Sequence, residues 1–144
     1  RIDNMTTVFI SHNHKDNIYI QQIKSIRQNP NHPLTFEDRS LAEAICNEHG
    51  HTNRRPPSDI RSEPVRKAIA KLLAGSHKLL VLVGKDTHSR LWVEWEIEQF
   101  KKHNSDNNIL VMRTPDNTYS GAPKGVQRLE LYAWDLNRIA LWVS

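Results

Sequence analysis

The run Lys78-Leu-Leu-Val-Leu-Val83 sets the tightest limit on what this chain can fold into. After Lys78 every residue is aliphatic, so both alternating faces of the segment are apolar, and six residues are too few for a stable helix. A strand of this kind is covered on both sides, which places it inside a parallel sheet with helices packed on either face. The rest of the chain fits that frame. TTVFI (6–10) reads as a first strand, PLTFE (33–37) as a second, NILVM (108–112) as a fourth, and LELYAW (129–134) as a weaker fifth. Between them, DNIYIQQIKSI (16–26) has isoleucines near helical spacing, and Val65, Ile69, Leu72 and Leu73 follow the i, i+4, i+7, i+8 rule. Ser62 is placed to cap that second helix, Pro64 fits its first turn and Gly75 its end. GKDTHSR then turns the chain, with Thr87 or Ser89 as the cap of a third helix. The fold expected is α/β, a flavodoxin-like doubly wound parallel sheet of four to five strands with helices on both faces.

The chain has 144 residues, 38% hydrophobic and 25% charged, enough for a single domain with a substantial core. Residues 1–5, with the first methionine at Met5, are expected to be a remnant or linker, and residues 39–61 form a long polar loop. No apolar run is long enough to span a membrane and the start carries no signal-peptide pattern, so the expected location is cytoplasmic. The single Cys46 excludes an internal disulfide. A net charge of +4 is mild. Its densest patch, NRRPP at 53–57, has no interleaved aromatics. Nucleic acid is therefore not called for, and an anionic small ligand suits the charge equally well.

The stretch WVEWEIEQF (92–100) contains an anomaly. At about 100° per residue, Trp92, Val93, Ile97 and Phe100 share an arc of about 140°, and Glu96 falls inside it. Glu94, Glu98, Lys101 and Lys102 lie on the opposite side. A carboxylate on an apolar face bonds a neighbour such as Arg90, takes up a proton, or faces a cavity that a ligand fills. In doubly wound sheets ligands collect outside the carboxyl ends of the strands. That directs notice to Ser11 and His12 after the first strand, Asp38 and Arg39 after the second, Lys85 and Thr87 after the third, and Arg113 after the fourth.

Two further clusters carry metal-ligand residue types. His12-Asn-His14-Lys-Asp16 has the His-x-His-x-Asp order of zinc hydrolases of the metallo-β-lactamase type, but Asn17 stands where a following histidine is needed. Loop histidines with Asp16 as a helix cap are the simpler account. Cys46, His49 and His51 form an incomplete ligand set, so no metal is assigned. No glycine-rich phosphate loop is present.

Taken together, VFISHNHKD, TFEDRS, KLLVLVGKDTHSR and LWVEWEIEQF resemble TIR-like domains, most closely the branch found in Thoeris anti-phage systems. The resemblance covers most of residues 6–113. It implies an NAD⁺-cleaving enzyme that releases nicotinamide with ADP-ribose or a cyclic ADP-ribose isomer as signal, NAD⁺ being substrate and no cofactor required. By the same resemblance Glu96 is the catalytic carboxylate and Trp92 its pocket partner. Ser11, His12, Asp38, Arg39, Ser40 and Lys85 are then expected to contact substrate. Partners implied are further copies of the chain and a downstream effector or upstream sensor protein, with no membrane. The rival from another class is a TIR-like interaction module without catalysis. A metal-dependent hydrolase built on the His-x-His-x-Asp stretch is the third reading.

Overall fold

The computed structural model describes residues 6–13, 16–26, 34–38, 56–85, 90–117 and 121–143. Among them, five strands form one sheet: β1 (Thr6–Ser11), β2 (Leu34–Asp38), β3 (Lys78–Val83), β4 (Ile109–Arg113) and β5 (Leu131–Tyr132). The spatial order is β2-β1-β3-β4-β5 and every pairing is parallel. That is the flavodoxin-like order anticipated for the chain. Four α-helices accompany the sheet: α1 (Asn17–Lys24), α2 (Glu63–Ala74), α3 (Arg90–Lys101) and α4 (Leu136–Val143).

Strand alternation divides the core in two. Phe9, Leu79, Val81, Val83, Ile109 and Val111 project to one face, where they pack with Val65, Ile69 and Leu73 of α2 and with Trp92, Val93, Ile97 and Phe100 of α3. Val8, Ile10, Leu80, Leu82, Leu110 and Met112 project to the other, against Ile20 and Ile23 of α1 and Ile139 and Val143 of α4. Connections over opposite faces of β1 carry the chain first to β2 and then to β3. The strand order reverses at β1.

Element ends differ from the sequence reading by a residue or two, for local reasons. β1, β2 and β4 each run one residue further toward the carboxyl edge, so Ser11, Asp38 and Arg113 are terminal strand residues and not loop residues. Asn108 belongs to a 3₁₀ turn whose amide reaches the Ser105 carbonyl at 3.1 Å. The cap assigned to Ser62 falls one turn earlier. Asp59 accepts from the Arg61 amide at 2.9 Å and opens a 3₁₀ turn (Ile60–Ser62) leading into α2, while the Ser62 hydroxyl donates to the Pro56 carbonyl at 2.9 Å. Asp16 precedes α1 but makes no side-chain cap bond. Gly75 does end α2, in a right-handed conformation.

The helix α4 was not anticipated. Asp135 caps it, accepting from the amides of Asn137 at 3.0 Å and Arg138 at 3.3 Å, and Ile139 and Val143 carry it onto the sheet. The Lys78 ammonium lies 5.1 Å from the Trp142 ring centroid and donates to the Trp142 carbonyl, which ties this helix to the start of β3. Its partial burial lowers the Lys78 pKa from the usual lysine value. Gly125 secures the approach to β5. It has a φ of 96°, and a Cβ there would stand 2.8 Å from Ile97 Cγ2 of α3.

Two stability predictions follow from these contacts. Gly125→Ala is expected to lower unfolding free energy by about 1–3 kcal/mol through left-handed strain and overpacking. Gly121→Ala, with open space around its Cβ, serves as the control, both read from urea midpoints. Ile139→Ala is expected to lower stability by about 2–5 kcal/mol. Leu141→Ala on the same helix, 78% exposed, should stay within about 0.5 kcal/mol.

Candidate active site at the carboxyl edge of the sheet

Ser11 continues the alternation of Phe9, so its side chain emerges on the face that α3 covers. On α3 the buried residues are Trp92, Val93, Glu96, Ile97 and Phe100, the same arc that the sequence placed inward. The two patterns meet where the Ser11 hydroxyl donates to Glu96 Oε1 at 2.6 Å, across 85 positions of sequence. Both residues are 0% exposed. The distance is that of a short O–H···O hydrogen bond. Arg90 does not serve as the neutralising partner considered above. Its Nε lies 3.5 Å from Glu94, one turn along, and its guanidinium donates to the Ala122 carbonyl at 3.0 Å.

Trp92 stands one turn before Glu96 on the same face and is 8% exposed. It packs in the core cluster, with Trp95 edge-on at 5.7 Å between ring centroids. At the end of β3, Asn13, Gly84, Arg90, Val93 and Pro123 line a cavity of about 30 Å³, room for a water molecule. A roomier depression of about 730 Å³ lies along Leu91, Trp95, Arg66 and Lys101. Leu91 and Trp95 project from the side of α3 away from Glu96, so that depression belongs to the outer surface of the helix and not to this site.

The other face of the same edge holds a second group. Asp38 pairs in register with Ile10 and shares its face, toward α1. Its Oδ2 is 3.2 Å from Lys24 Nζ at the end of α1 and 3.7 Å from His12 Nε2. The Nδ1 of His12 is 2.7 Å from the Asn13 carbonyl, a hydrogen bond that requires the proton on Nδ1. His12 and Asp38 are both buried, and Lys24 is half-buried. Consecutive residues Ser11 and His12 thus serve different faces.

The Asp16 carboxylate lies against the end of β3, so closely that a Cβ on Gly84 would meet Asp16 Oδ2 at 2.3 Å. Position 84 must be glycine for that approach. Asn117 donates to the Val83 carbonyl at 2.8 Å and binds the turn after β4 to the same edge.

Of the expected site residues, Ser11 and the catalytic candidate Glu96 are joined directly, His12 and Asp38 are joined on the opposite face, and Lys85 is exposed beyond Gly84. Arg39 and Ser40 lie outside the described residues, as do His14, Cys46, His49, His51, Thr87 and Ser89. Among the described residues no group of three His, Cys, Asp or Glu side chains is placed to hold a metal ion, and no helix is long and apolar enough to cross a membrane. The sequence reading missed Lys24 and Asn117. Lys24 had a signal, a basic residue in the last helical turn on the side of the sheet that ends in Asp38.

Comparison with known proteins bears on the same segment. No match is found among curated proteins. A family model described as the Thoeris protein ThsB, TIR-like domain, matches residues 9–119, from the middle of β1 past the end of β4, and takes in Ser11, Asp38, Trp92 and Glu96. With most of its length matched, and with the parallel sheet order 2-1-3-4-5, the chain belongs to the family of Thoeris ThsB TIR-like domains.

Proposed function

We propose that this TIR-like defence domain cleaves the bond between nicotinamide and ribose in NAD⁺, with Glu96 as its catalytic residue. The observation that carries the proposal is the fully buried Ser11–Glu96 pair at the reversal point of the sheet. An ionised carboxylate is costly to enclose, and a domain that needed only a packed helix would be served better by an apolar side chain there.

One carboxylate is sufficient for this reaction. Glycoside hydrolysis of ordinary sugars needs a second group to protonate the leaving oxygen. The nicotinamide nitrogen of NAD⁺ is already positive, so the C1′–N bond breaks with both electrons passing to the ring and no proton is required. Glu96 stabilises the positive charge that develops on the ribose, most strongly in a dry site. Ser11 holds the carboxylate in place. Water then adds at C1′ and loses a proton to give ADP-ribose, or a nucleophile of the same molecule closes a ring. Glu96 is enclosed, so the edge must open for ribose to reach it, which makes self-association or a partner's binding a natural control. A downstream effector that reads the product, or an upstream sensor, completes the signalling role.

The test is nicotinamide release from NAD⁺ by the concentrated chain, followed by chromatography with mass detection. Glu96→Gln is expected to reduce the rate at least 100-fold, as loss of a principal electrostatic group does, and EDTA should have no effect. Activity that survives Glu96→Gln, or that EDTA abolishes, would refute the assignment. Ser11→Ala is expected to lower kcat about 10- to 100-fold with a smaller change in KM, because the carboxylate loses the donor that orients it.

A further inference from the structure

Among the described residues, one partly buried cation at the carboxyl edge is unaccounted for. Arg113 ends β4, where it pairs in register with Val83 and continues the column of Ile109 and Val111 on the face that α2 and α3 cover. Its Nε is buried with no hydrogen-bond partner among the described residues. No ion pair engages its guanidinium among the described residues. Other cations of the molecule have partners: Lys24 at Asp38, Arg90 at Glu94 and the Ala122 carbonyl, Lys101 at the Gly125 carbonyl. Asp116, three residues beyond Arg113, accepts instead from the Thr114 hydroxyl at 2.6 Å. A guanidinium partly removed from water gains nothing from that position unless an anion meets it.

We propose that Arg113 is a phosphate-binding residue, pairing with the pyrophosphate of the dinucleotide while its ribose lies at Glu96; this rests on the NAD⁺ assignment above. The sheet supplies the spacing. β1 and β4 are separated by two strand intervals of about 4.8 Å each. Ser11 is in register with Val81, and Val81 with Val111, two residues before Arg113. The Arg113 backbone therefore stands about 12 Å from that of Ser11, on the same face. A ribose, its 5′ carbon and an arginine stem together bridge such a span. A guanidinium fork also matches phosphate oxygens in a way that a lysine ammonium does not.

The experiment uses the whole chain, with ADP-ribose, inorganic pyrophosphate and adenosine as probes in calorimetry, and with the Arg113 Nε–H resonance followed by NMR. ADP-ribose is expected to shift that resonance and to bind Arg113→Gln about 10- to 100-fold more weakly than wild type, Arg113→Lys falling between, while adenosine distinguishes none of them. Equal ADP-ribose affinity for wild type and Arg113→Gln would overturn the proposal. So would a resonance that responds to inorganic pyrophosphate but not to ADP-ribose, the sign of a general anion contact. Should Arg113→Gln fail to fold, the wild-type resonance decides alone. Binding of ADP-ribose through Arg113 without nicotinamide release would refute the cleavage reaction and leave the phosphate site standing.

Discussion

The hydrogen bond from Ser11 to Glu96 is the interaction around which the rest of the candidate site is arranged. It unites the last residue of β1 with the middle of α3, elements that meet because the strand order reverses at β1 and lays β3, from which α3 departs, beside it. Enclosing a carboxylate is tolerable only where donors are fixed in advance, and a strand end is among the most rigid places from which to offer one. The packing of Trp92 and Phe100 on either side keeps α3 from turning Glu96 outward. Stability of the helix and readiness of the site are thus parts of one constraint.

The carboxyl edge sorts its polar groups by face. On the α3 side stand Ser11, Glu96 and Arg113, set among apolar neighbours. On the α1 side, Asp38 is met by Lys24 and His12. The second arrangement brings an anion and a cation together. The first holds its carboxylate on the Ser11 hydroxyl and leaves the buried Arg113 Nε without a hydrogen-bond partner among the described residues.

Much of this was legible in the sequence. The apolar run of β3 and the period of α3 carried both the fold class and the inward turn of Glu96, because burial on both faces and burial of one helical stripe leave different residue periods. The tie between Ser11 and Glu96 was not legible, since a polar residue after a strand is ordinary and its partner is 85 positions away. Helix α4 was missed although Asp135 and the spacing of Leu136, Ile139, Ala140 and Val143 announced it, the apolar run before it having drawn notice to a strand that proved only two residues long. The Ser62 cap failed for a local reason: a 3₁₀ turn inserted before α2 moved the capping role to Asp59.

The partition of neighbours Ser11 and His12 between the two faces has a consequence for how this chain can vary over time. Each side chain owes its surroundings to parity along β1, so deleting or inserting one residue between Thr6 and Ser11 would exchange them, sending an imidazole toward α3 and a hydroxyl toward α1. Substitutions within β1 change one contact at a time, whereas a length change inverts every contact at once. Among relatives, gaps should therefore be excluded from this strand even where its residues differ.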